Sequence, residues 1–80
     1  MARAQEIIMY SRPDCHLCEL AAEMLEECDV AWYEVDIESD LELIRKHGAR
    51  VPVLYRADID RELVWPFNSE TVNAFVELEI

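Results

Sequence analysis

An apolar run, Glu6-Ile7-Ile8-Met9-Tyr10, stops at Pro13-Asp14, a helical pattern starts at Leu17, and two thiols, Cys15 and Cys18, straddle that junction. No other feature of the chain restricts its fold as much. A short apolar run closed by a turn signal reads as a buried strand, and the residues from Leu17 onward read as an amphipathic helix. Cys15 is then expected in the first helical turn. Unpaired backbone N–H groups and the positive end of the helix dipole favour the thiolate there. Arg12 and a protonated His16 act in the same direction and the Asp14 carboxylate acts against them, with the lowering influences expected to win. Cys18, one turn further on, is suited to attack a mixed disulfide formed at Cys15.

The helix is expected to turn Leu17, Leu20, Ala21, Met24, Leu25 and Cys28 inward and Glu19, Glu23, Glu26 and Glu27 outward. Cys28 reads as a small buried core residue, and Asp29 closes the helix. Val30 to Ile37 is rich in β-branched and aromatic residues and reads as a second strand, so that strand, helix and strand imply a parallel βαβ unit. Ser39-Asp40-Leu41-Glu42 has capping-box spacing, with Ser39 as N-cap. From it a second helix is predicted to carry Leu41, Ile44 and His47 inward and to stop at a left-handed Gly48. Val51 to Tyr55 and Arg61 to Trp65 are hairpin strands joined by Ala57-Asp58-Ile59-Asp60. Asn68 or Ser69 then caps a last helix through Val72, Phe75 and Val76.

Eighty residues with 52% hydrophobic composition suit one compact domain over residues 1–80. Eighteen acidic against seven basic residues give a net charge of −11, which opposes nucleic acid and anionic membrane as partners. Gly48 is the only glycine, so no glycine-rich phosphate loop exists. No stretch resembles a signal peptide or a membrane span, and three cysteines fit a reactive pair plus a spare better than a secreted disulfide framework. A cytoplasmic monomer is expected.

Over essentially its whole length the chain resembles the glutaredoxin-like branch of the thioredoxin-fold superfamily. Tyr10-Ser11-Arg12-Pro13-Asp14-Cys15-His16-Leu17-Cys18 is similar to that family's strand-to-helix active-site segment, and Arg50-Val51-Pro52-Val53 is similar to its cis-proline segment. The resemblance implies an α/β fold in the order β-α-β-α-β-β-α, with a four-stranded mixed sheet and helices on both faces. It further implies Cys15 as nucleophile, Cys18 as resolving thiol, and a cis Val51-Pro52 bond that leaves the Val51 backbone to pair with an extended substrate. Arg12, His16, Val51 and Pro52 are the substrate-binding candidates, and Arg12 with Arg50 is a candidate positive patch. Two departures stand out. Trp65-Pro66-Phe67-Asn68-Ser69 occupies the place of the paired glycines that hold glutathione, and His16 stands where proline is common between the cysteines. The resemblance therefore does not carry glutathione specificity to this segment; Ser69 and the N–H groups of the last helix are the groups there that can receive a glutathione carboxylate.

The function so implied is a small thiol–disulfide oxidoreductase acting on a protein disulfide or a glutathione mixed disulfide, without a resident cofactor. The alternative is a binding or assembly protein of the same fold, whose thiols hold a metal or iron–sulfur cluster or are incidental to partner recognition. Cys15, Cys18 and His16 fall short of the four ligands of a structural zinc site, so no metal is expected. Trp32, Tyr33, Trp65 and Phe67 read as core or edge packing.

Overall fold

A computed structural model describes residues 7–78. β1 (Ile7–Ser11), α1 (His16–Glu27), β2 (Trp32–Asp36), α2 (Leu41–His47), β3 (Val53–Arg56), β4 (Arg61–Val64) and α3 (Ser69–Glu77) follow in that order, with a 3-10 turn at Ile37–Ser39. The sheet runs β2-β1-β3-β4, parallel between β1 and β2 and antiparallel in the other two pairs. This is the mixed α/β sheet expected from the sequence. Glu6, expected to open β1, lies outside the described residues.

Strand alternation distributes the core between two faces. Ile7 and Met9 of β1 and Leu54 of β3 meet Ala21 and Leu25 of α1 and Val72, Phe75 and Val76 of α3. On the opposite face Tyr10 stacks on His47 of α2, ring centroids 4.4 Å apart and planes 18° from parallel.

The helices depart from the expected faces. In α1 the buried stripe is Cys18, Ala21 and Leu25, while Leu17 and Leu20 are exposed. In α2 Leu41 is 71% exposed and Ile44 lies at the surface, and burial falls on His47 with Leu43 half-buried. Cys28, expected in the core, is half-buried at the C-cap of α1. The helix starts differ from expectation as well. Cys15 has extended backbone angles and is the N-cap of α1, so the helix begins at His16. Ser39 belongs to the 3-10 turn and donates its hydroxyl to Asp36 O (2.7 Å), so that Asp40, not Ser39, caps α2 by accepting from Glu42 N at 2.8 Å.

Gly48 also differs from expectation, since its φ of −50° is right-handed. It is needed for space: a Cβ there would meet Ile44 O at 2.6 Å, and a backbone atom cannot swing away. The left-handed turn positions belong instead to Asp14, Asp29 and Asp60, with φ of 57°, 57° and 53°, which aspartate tolerates better than most side chains. The strand bounds shift by one or two residues, with β3 beginning at Val53 and β4 ending at Val64. Val51–Pro52 is cis, and so is Trp65–Pro66, for which the sequence carried no signal.

Candidate functional site: the Cys15–Cys18 cleft

The C-terminal end of β1 delivers the chain to the start of α1. Ser11 closes the strand, Asp14 makes the left-handed turn, and Cys15 caps the helix. The two cysteines are joined as a disulfide, their Cα atoms 5.2 Å apart. Cys18 N donates to Cys15 Sγ at 3.2 Å, which puts the sulfur in the role a capping oxygen ordinarily fills. That N–H is one of the orphan donors of the first turn. Cys18 is 5% exposed and Cys15 half-buried, so an incoming reagent meets the Cys15 sulfur more readily.

A cleft of about 270 Å³ opens beside the disulfide, lined by Arg12, Pro13, Asp14, Cys15, Cys18, Glu19, Ala22 and Glu34. Glu34 was not singled out by sequence reasoning. It is in register with Met9, on the face of the sheet that α1 covers. The signal available was a carboxylate two residues from Trp32, and so on the same side of β2. Ser11, buried at the end of β1, donates its hydroxyl to Glu34 Oε2 at 3.0 Å and fixes the carboxylate at the cleft.

The substrate-binding candidates separate. Arg12 lines the cleft, but its guanidinium donates to Gly48 O (3.1 Å) and pairs with Glu38 (3.3 Å). Arg50 pairs with Glu62 at 2.8 Å and donates to His47 Nδ1 at 3.1 Å. Each arginine thus carries its own carboxylate, and the positive patch weighed from the sequence is offset at both ends. His16 is exposed at the first position of α1 and is not among the lining residues. Pro52 is buried, and its carbonyl accepts from Trp65 N at 3.2 Å. The Val51 backbone, expected to pair with an extended substrate, donates its N–H to His47 O at 3.1 Å, which leaves the Val51 carbonyl without a partner among the described residues.

Because a guanidinium has only hydrogens to give, Nδ1 of His47 is an acceptor and the imidazole is neutral. Burial first, then the charge of Arg50, hold its pKa below the ordinary value, with Lys46 adding to them and Glu62 opposing. The hydrogen bond from Arg50 holds Glu62 below the usual carboxylate range against the effect of its partial burial.

A parallel βαβ unit followed by a hairpin and a helix, with Cys-x-x-Cys at the start of the first helix, defines a thioredoxin-like α/β protein. Within that class the chain belongs to the glutaredoxin-like domain family (DUF836), whose profile matches residues 6–77. The crystal structure of Northeast Structural Genomics target protein XcR50 from X. campestris is similar at 39% identity and a TM-score of 0.82, over 89% of this chain and 95% of that one. The solution structure of the same target gives 38% identity and 0.80, over 96% and 94%. Protein Ne2328 from Nitrosomonas europaea is similar at 25% identity and 0.73, over 94% of each chain. No curated protein matches the sequence. A glutaredoxin-like domain with this cysteine pair is compatible with thiol redox function. Among the described residues no helix is long and apolar enough to cross a membrane.

Proposed function

We propose that the protein is a dithiol–disulfide oxidoreductase with Cys15 as nucleophile and Cys18 as resolving thiol. The observation that carries this reading is the disulfide itself, set at the N-terminus of α1 with both cysteines lining a cleft and Cys15 the more exposed of the two. In the reduced protein the Cys15 thiolate attacks one sulfur of the substrate disulfide. A bond forms from Cys15 Sγ to that sulfur, the substrate S–S bond breaks, and the departing thiolate takes a proton from solvent. Cys18, its proton released to solvent, then attacks Cys15 Sγ. The second substrate thiol leaves and the Cys15–Cys18 disulfide forms. Two electrons pass from the cysteine pair to the substrate, and an external thiol or dithiol reductant returns them. In this reading Arg12 shapes one wall of the cleft, the Val51 carbonyl is the backbone group offered to a bound chain, and a disulfide-bearing peptide or protein is the substrate.

The test is a single turnover. Fully reduced protein is mixed with neutral hydroxyethyl disulfide, quenched by alkylation and weighed. The expected product carries one alkyl group, on Cys28, because Cys15 and Cys18 have become a disulfide. In Cys15→Ser that conversion should vanish. Three alkylated cysteines in the wild type after prolonged exposure, or an unchanged rate in Cys15→Ser, would remove the assignment.

A further inference from the structure

The lining of the cleft assigns a charge to the substrate, an inference that rests on the redox reading above. Asp14, Glu19 and Glu34 all line the space into which the Cys15–Cys18 disulfide opens. Among the described residues that line it, Arg12 carries the only positive charge, and that charge is matched by Glu38 at 3.3 Å. No ion pair joins Asp14, Glu19 or Glu34 to a described cation, and the one hydrogen bond to Glu34 comes from the uncharged Ser11 hydroxyl. The three carboxylates come from three separate places: the β1–α1 turn, the first turn of α1 and the middle of β2. Glu34 is an exposed residue of the edge strand β2, in register with Met9, and its carboxylate is held at the cleft by the Ser11 hydroxyl.

We infer that the site selects disulfides flanked by ammonium or guanidinium groups, such as a cystine beside lysine or arginine in a peptide, and disfavours anionic disulfides including glutathione disulfide. Three carboxylates against one paired guanidinium repel an anionic reagent and attract a cationic one at this cleft, and the net charge of −11 has the same sign. The same carboxylates oppose the approach of the glycine and γ-glutamyl carboxylates of glutathione. The covalent steps are those given above; the carboxylates act only on binding and approach.

Three disulfides of similar size separate charge from chemistry: cationic cystamine, neutral hydroxyethyl disulfide and anionic dithiodipropionate. Their single-turnover rates with the reduced protein, each divided by its rate with dithiothreitol to remove intrinsic leaving-group differences, should fall in that order. At low salt the normalised ratio of cystamine to dithiodipropionate should be of the order of tenfold or more. Added potassium chloride should compress it as the Debye length shrinks. The triple variant Asp14→Asn, Glu19→Gln, Glu34→Gln should compress it at low salt, and asparagine keeps the left-handed turn at position 14 available. If that variant does not fold, the salt series on the wild type still decides. Equal normalised rates for all three compounds, or a ratio unmoved by salt, would overturn the inference while leaving the redox function in place. Failure to oxidise with any of the three would instead remove the redox reading beneath it.

Discussion

Arg56 is 3% exposed in β3, yet it is the most heavily bonded side chain among the described residues. Its Nη1 donates to the carbonyls of Phe75 (2.9 Å), Val76 (3.1 Å) and Leu78 (2.7 Å), and Nε and Nη2 hold Asp58 at 3.2 and 2.6 Å. The last carbonyls of a helix have no partner within it, so one buried cation satisfies the end of α3 and faces the negative end of its dipole. Arg56→Met keeps most of the volume and removes every donor. It should cost about 2–4 kcal/mol by urea denaturation, and a loss below ~1 kcal/mol would mean that water replaces those bonds. His47 supplies a pH dependence of known sign. Its pKa is lowered in the folded protein, so as pH falls below the ~6.5 of an exposed imidazole the unfolded chain takes up a proton that the native state refuses. Stability from this group is complete above that value and is lost as pH drops toward the folded pKa. Arg50, Lys46 and Glu62 are the charges bearing on it, and Tyr10 is the ring stacked against it. His47→Phe should flatten the stability–pH curve between pH ~5 and ~7; an unchanged slope would place that dependence elsewhere.

Elements were legible in the sequence in kind and order, because apolar period and turn chemistry are local signals. β1, β2, the hairpin and all three helices lie close to where pattern put them. The faces were less legible, for a geometric reason. One residue turns a helix by about 100°, so a stripe whose centre is placed one residue off points away from the core. Ser39 satisfied the capping-box spacing, but Asp40 is the residue with extended backbone and a free carboxylate, and the inward side moves from Leu41 and Ile44 to Leu43 and His47. At α3 the choice between Asn68 and Ser69 is settled by Asn68 Oδ1, which accepts from Thr71 N and Thr71 Oγ1, both at 2.8 Å. Asn68→Ala should therefore cost about 1 kcal/mol. Ser69→Ala should cost distinctly less, and the reverse order would return the cap to Ser69.

For the molecule as a whole, the fold brings together what the sequence separates. Cys15 and Cys18 were visible as a pair at a helix start because they are three residues apart. Glu34, 19 and 16 positions away, reaches the same cleft only because β1 and β2 pair in parallel with Met9 opposite Glu34, a register that no local pattern reveals. Arg12 and Arg50 illustrate the complementary case. Their partners Glu38 and Glu62 are distant in sequence, so charges that looked free are matched in the folded chain. An acidic cleft around an oxidisable pair, on a strongly acidic surface, is a property of the assembled domain and not of any one segment.

The central claim is that Cys15 attacks and Cys18 resolves, and Cys18→Ser isolates the first step. Reduced Cys18→Ser protein incubated with cystamine and digested should show the cysteamine adduct on Cys15, stable until an external thiol is added, with Cys28 unmodified. An adduct on Cys28 alone, or none at all while a denatured control reacts fully, would contradict the assignment of Cys15 as the nucleophile.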